Sequence, residues 1–231
     1  MSTDISNIEL SDIKTPWTNK KKIIAATASA LIGILIFGGS YLIAISSTSI
    51  NQSVLNFMIS IRQEDLTNYI KILTILGSLS TAGILTIAIA AIWASYKREF
   101  WRPTLLISSL LLTGRATMLF KSWYMIERPA MKFMIKPLET DYAFPSGHTI
   151  GVFVLVLVIG YLICSRRSSP LRIFNWITTT LIFTAAVAFT RLYLGYHWIT
   201  DTTASIGLGL IILSLVIVID KFVTGKFAKL Q

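Results

Sequence analysis

The sequence predicts an all-α fold, an integral membrane bundle of six transmembrane helices with both termini cytoplasmic. Three observations predict it. Hydrophobic residues make up 54% of the chain and charged residues only 14%, where a soluble domain carries about 25% charged residues; with a mean hydropathy of +0.68, hydrocarbon is the matching solvent. Six runs approach the roughly 20 apolar residues needed to cross a bilayer. Lysine and arginine, finally, gather between alternate runs, which is how loop charge orients inserted helices.

Taken in order, residues 1–22 form a polar, basic tail, and Met1–Asn19 is expected to lack packed structure. The first run, Ile23–Ile45, follows Lys20, Lys21 and Lys22. It is longer than the core of a secretory signal and no small-residue cleavage site follows, so it reads as a retained span. Between Ile50 and Ile61 the apolar residues Val54, Leu55, Phe57, Met58 and Ile61 recur at helical spacing, as in a helix lying on the membrane surface. The second run is Ile72–Ala94. The third, Thr104–Phe120, contains Arg115, a costly charge inside a span, expected to snorkel outward or to support a polar site. The fourth, Thr149–Cys164, is short; the fifth is Ile173–Thr190 and the sixth Thr202–Ile219. The domain reading is therefore a tail over 1–22, a membrane domain over 23–220 and a tail over 221–231. The single Cys164 excludes an intrachain disulfide and a cysteine metal site, and reads as a packing residue.

Of the 21 Lys and Arg residues, thirteen fall in the two tails and in the loops after the second and the fourth runs. That side is expected to be cytoplasmic, which turns the loops around 46–71, 121–148 and 191–201 outward. The formal net charge of +10 would suggest nucleic acid on a soluble domain; here the cations sit in short loops, and no nucleic-acid partner is expected. Seven cations on the outer side run against the insertion rule and want another role.

Both histidines stand at outer ends of spans. His197 is followed four residues later by Asp201, a spacing that puts both on one face of a helix. A carboxylate there accepts the imidazole N–H, fixes its tautomer and frees the other nitrogen as nucleophile or base; the plainer reading is a pair that caps the last span. Arg191 precedes His197 by six residues, where a lone arginine is usually an anchor. His148 ends Pro145-Ser146-Gly147-His148, just before an apolar run. Pro145 stops backward extension and Ser146 is a favoured N-cap. Gly147 lets a ligand approach, and the free N–H groups of the helix start favour an anion. Lys121 and Arg128 lie seven residues apart and face one pocket if the helix continues that far, with Pro129 marking the boundary.

Together these segments resemble the three-part signature of the type 2 phosphatidic-acid phosphatase superfamily, in its membrane branch of lipid phosphatases. The resemblance covers roughly residues 115–210. Thr190 stands where the family usually has serine; its hydroxyl makes the same hydrogen bond. The resemblance implies that His197 attacks phosphorus and forms a phosphohistidine, that Asp201 orients it, and that His148 protonates the leaving oxygen and then activates water. Lys121, Arg128, Arg191, Ser146 and Gly147 would bind the phosphate oxygens. Three cations and a helix start suit a group carrying about −1.5 to −2 charges. No cofactor and no metal are expected, since no Asp, Glu or His cluster stands at ligand spacing. The expected substrate is a lipid phosphate or pyrophosphate, either phosphatidylglycerol phosphate, phosphatidic acid or a polyprenyl pyrophosphate. It would be processed on the extracytoplasmic face of a multi-pass protein of the plasma membrane, with no oligomeric state specified. The alternatives are a lipid phosphotransferase and a noncatalytic phospholipid-binding or transport protein, the latter predicting polar residues at the bilayer midplane.

Overall fold

The computed structural model describes residues 16–47 and 49–227, which form eight α-helices and one short 3₁₀ turn. Six helices are long and apolar enough to cross a membrane. These are α1 (Asn19–Ser46), α4 (Leu79–Lys97), α5 (Trp101–Tyr124), α6 (Gly147–Cys164), α7 (Pro170–Tyr193) and α8 (Ile199–Phe227). Two shorter helices, α2 (Ser49–Ser60) and α3 (Glu64–Leu76), lie between α1 and α4. The bundle's outer faces are apolar: Leu35 is 73% exposed, Ile84 69% and Phe174 65%. A surface of that kind is stable only against lipid, and the chain is a multi-pass membrane protein.

α6 is the central mast. Ile150, Val154, Val158 and Leu162 are fully buried along it, and it packs against α5, α7 and α8. α1 lies chiefly along α8. The close approach is made at Gly33 and Gly207, where an added Cβ on Gly207 would stand 2.5 Å from the backbone nitrogen of Phe37. Small residues permit such backbone contact between membrane helices.

The end of the bundle away from the histidines is tied by a buried polar knot. Asp220 accepts from Lys22 Nζ and from the Tyr161 hydroxyl, both at 2.7 Å, and from Trp101 Nε1 at 3.2 Å. It thereby joins α1, α5, α6 and α8. Such an anion is stable only because every neighbour donates to it.

Several expectations on element boundaries need correction. The expected span Ile72–Ala94 is two helices. Its first residues, Ile72 to Leu76, belong to α3, and the chain breaks at Gly77, whose missing side chain accommodates Val187 of α7. Ser78 then caps α4, its hydroxyl accepting from Thr81 N at 3.0 Å. The expected surface helix Ile50–Ile61 is α2. The tails do not begin where apolarity stops: Lys20–Lys22 lie inside α1, and α8 runs to Phe227, beyond the expected boundary at 220. Lys22 is buried because Asp220 offers it a partner, and Trp17 packs edge-on against Tyr161. Residues 1–15 and 228–231, which hold most of the expected tails, lie outside the described residues.

Candidate active site

The site sits where the C-terminal ends of α5 and α7 meet the N-terminal ends of α6 and α8. Each end is made by local chemistry. α5 stops at Tyr124 because Met125 adopts a left-handed backbone (φ 48) and returns its N–H to Lys121 O at 3.1 Å. Arg128 is thus on a loop; the helix carrying Lys121 does not reach it, so the condition for the two cations to share a helix face is not met. The loop nonetheless brings it to the same place. α6 starts at Gly147 with Ser146 as N-cap: the Ser146 hydroxyl accepts from Thr149 Oγ1 at 3.0 Å, and its backbone carbonyl accepts from Ser205 Oγ at 3.0 Å. His148 follows in the first turn.

His197 also departs from the expected placement. It lies in the turn before α8, yet still meets Asp201, with Nδ1 to Oδ2 at 3.2 Å. The reason is a cap: Asp201 Oδ2 also accepts the backbone N–H of Trp198 at 2.7 Å, the reach-back of a third-position carboxylate to its N-cap residue. One oxygen therefore closes the helix and holds the ring. Nε2 of His197 faces Arg128 Nη1 at 3.2 Å. A guanidinium only donates, so Nε2 is the acceptor, and the proton resides on Nδ1, where Asp201 accepts it. The tautomer is fixed from both sides.

Burial pushes the His197 pKa well below its ordinary value of 6.5, helped by the nearby charges of Arg128, Arg191, Lys121 and His148. His197 is 2% exposed, Arg191 1% and Asp201 0%. The ring is neutral at neutral pH, with a lone pair at Nε2. His148 interacts electrostatically with Arg191, Glu139, Arg128 and Lys121, so both imidazoles and all three cations expected from the sequence converge.

Two carboxylates that sequence reasoning did not single out complete the arrangement. Glu139 binds Arg128 Nη1 through Oε2 at 2.7 Å and Arg191 Nη2 through Oε1. Asp141 binds Arg128 Nη2 through Oδ1 and Lys121 Nζ through Oδ2, both at 2.6 Å. Desolvation raises the Asp141 carboxyl, but the hydrogen bonds and charges of Lys121 and Arg128 outweigh it and hold the pKa below the ordinary range. Both residues belong to the loop between Arg128 and Pro145. Their only trace in the sequence is an acidic pair inside the most cationic of the segments expected to face outward.

Two further residues position Arg191, and a third braces the end of α7. Thr74 of α3 accepts from Arg191 Nη1 at 3.0 Å, and the Tyr196 ring lies 4.5 Å beneath the Arg191 guanidinium. Arg62 donates from Nε to the carbonyl of Tyr193 at 2.9 Å. Tyr193 and Tyr196 are buried behind the site, whereas Trp123 is 66% exposed. Arg115 is exposed on α5 and lines a lateral cavity of about 310 Å³ shared with α4. Among the described residues no group of three or more His, Cys, Asp or Glu side chains stands close enough to hold a metal ion.

A family model described as the PAP2 superfamily matches residues 102–224. Phosphatidylglycerophosphatase B of Bacillus subtilis (strain 168) is 29% identical over 177 residues, covering 73% of this chain and 82% of that protein. The crystal structure of a transmembrane PAP2-type phosphatidylglycerolphosphate phosphatase from Bacillus subtilis superposes with a TM-score of 0.70 at 23% identity, covering 85% of this chain and 96% of the other. That of Aquifex aeolicus LpxE does so with a TM-score of 0.53 at 19% identity, covering 71% and 94%. Both structural likenesses support the helical membrane fold.

Proposed function

The chain belongs to the PAP2 superfamily, and we propose that it is a lipid phosphatase that works through a phosphohistidine on His197 at the extracytoplasmic surface. The membership makes it a hydrolase of phosphate esters. The observation that carries the finer reading is the set of partners around Arg128. Its guanidinium meets Glu139, Asp141 and His197 Nε2 at once, so the place where its neighbours' anionic oxygens lie is also the place from which Nε2 reaches phosphorus.

A phosphate dianion that takes over Lys121, Arg128 and Arg191 displaces the two carboxylates and frees the Nε2 lone pair. Ser146 and the N–H groups opening α6 offer further donors. Nε2 then attacks phosphorus, the N–P bond forms and the P–O ester bond breaks, and His148 gives its proton to the leaving oxygen. Asp201 stabilises the charge that the ring acquires. In the second half His148 takes a proton from water, the hydroxide attacks phosphorus, and the N–P electron pair returns to His197. The nonbridging charge of both transition states falls on preorganised cations, the setting in which electrostatic stabilisation is largest.

Phosphatidylglycerol phosphate is the substrate we place first, because the named Bacillus subtilis relative is a phosphatidylglycerophosphatase; phosphatidic acid and a polyprenyl pyrophosphate follow. The test is phosphate release by the purified protein from each of the three lipids, in detergent with a chelator present. Turnover should persist with chelator, and an acid-labile phosphoenzyme should be trapped in wild type but not in His197→Ala. Adduct formation in His197→Ala would overturn the nucleophile, and loss of all turnover on chelation would overturn the metal-free chemistry.

A further inference from the structure

At the opposite end of the bundle from the histidines, α4, α6 and the start of α7 enclose a cavity of about 780 Å³. α6 separates the two ends by its 18 residues, roughly 27 Å at 1.5 Å per residue. The inner part of the cavity is apolar: Ile89 and Ile92 come from α4, Leu162 and Ile163 from α6. Trp93 and Tyr96 stand at its mouth, and the rim carries Lys97, Arg166, Arg167 and Arg172. Aromatic side chains between an apolar wall and a charged rim mark the depth of the membrane–water boundary.

The charge around the rim is unbalanced. The segments 97–102 and 165–172 hold one carboxylate, Glu99, and it is already shared by Arg102 at 3.3 Å, Arg166 at 2.6 Å and the Trp93 indole at 3.2 Å. Lys97 rests on the Tyr96 ring and Arg172 donates to the backbone carbonyl of Arg167 at 2.9 Å. Among the described residues neither Lys97 nor Arg167 has a carboxylate partner. An apolar slot of lipid dimensions that ends in four cations, with Glu99 the one carboxylate beside them, is complementary to one class of molecule. We propose that this cavity seats one anionic glycerophospholipid of the leaflet at this end, its acyl chain along Ile89, Ile92, Leu162 and Ile163 and its phosphate among the rim cations. Basic pockets between membrane helices bind anionic headgroups for the same electrostatic reason. The site is separate from the catalytic one and stands whatever lipid the enzyme hydrolyses.

The test uses the full chain in detergent, with native mass spectrometry counting retained lipid across titrations of phosphatidylglycerol and phosphatidylcholine of equal chain length. One phosphatidylglycerol should be retained per chain, in preference to phosphatidylcholine. Lys97→Gln with Arg167→Gln should weaken phosphatidylglycerol roughly thirtyfold, at about a factor of five per removed cation, while hydrolysis of a water-soluble phosphomonoester is unchanged. Ile163→Trp fills the slot with all cations retained and should lose the lipid as well. Equal retention of the two lipids, or wild-type affinity in either variant, would overturn the proposal.

Discussion

Replacing Asp201 by asparagine separates two roles that one oxygen performs. Oδ2 accepts from both Trp198 N and His197 Nδ1, whereas Oδ1 is buried with no partner among the described residues. An asparagine therefore settles with its oxygen at the Oδ2 position, because the reverse orientation sets its NH₂ against the Trp198 N–H. In Asp201→Asn the helix cap and the His197 tautomer survive, and the negative charge is what is lost. Opposite unit charges about 4 Å apart are worth about 4 kcal/mol at an effective dielectric of 20. With half to all of the ring charge developed at the transition state, the barrier rises by about 2–4 kcal/mol, which lowers kcat roughly thirtyfold to a thousandfold. Asp201→Ala also removes the acceptor that holds the ring, a further loss of about tenfold. The assay is single-turnover rapid quench on a chromogenic phosphomonoester, reading phosphoenzyme formation beside phosphate release. An Asp201→Asn enzyme within threefold of wild type, or one slower than Asp201→Ala, would refute the reasoning.

Glu139→Gln removes a carboxylate from Arg128 and Arg191, so inorganic phosphate should inhibit more strongly, by about fivefold once the partial exposure of Glu139 is allowed for; an unchanged or higher inhibition constant would show that the carboxylate does not compete for those cations. For His197 the folded pKa lies below the unfolded value, so the native state binds fewer protons and stability is lost as pH falls below about 6.5. Melting curves from pH 7.5 to 5.5 should be flatter for His197→Gln than for wild type, diverging by up to about 1.4 kcal/mol per pH unit, and parallel curves would exclude that linkage. Gly207→Ala drives a Cβ into the backbone of α1 at Phe37 and Gly33 and should cost about 1–3 kcal/mol. Gly83→Ala, with nothing within 4 Å, should melt like wild type; equal melting of the two variants would mean that α1 and α8 do not need their close approach.

Hydropathy located all six crossing helices because each carries a long, mostly apolar run, and it merged two helices where they share one. Ile72, Leu73, Ile75 and Leu76 continue the apolar character of α4 backwards into α3, and the break at Gly77 and Ser78 is a matter of a missing side chain and a capping hydroxyl, to which average apolarity is blind. The three polar segments of the site were legible because proline, N-cap serine and the His–Asp interval are local patterns. Glu139 and Asp141 were not, since an acidic pair in a polar loop looks the same in sequence whether it faces water or closes over arginines 11 and 52 residues away. Thr74 and Arg62 escaped for the same reason: their partners on α7, Arg191 and Tyr193, are distant in the chain. Lys22, read as part of a solvated tail, is buried because Asp220 lies 198 residues further on.

That last pairing has a bearing on biosynthesis. The helix that leaves the ribosome first finds its principal neighbour only in the helix made last, and the knot at Asp220 ties one end of each to the other. Until α8 arrives, α1 waits in lipid with its glycine groove unfilled and a lysine lacking its counter-ion. A nascent chain truncated before residue 197 therefore has neither the nucleophile nor the clasp that closes the bundle, so chemistry and structural completion are gained in one step of insertion.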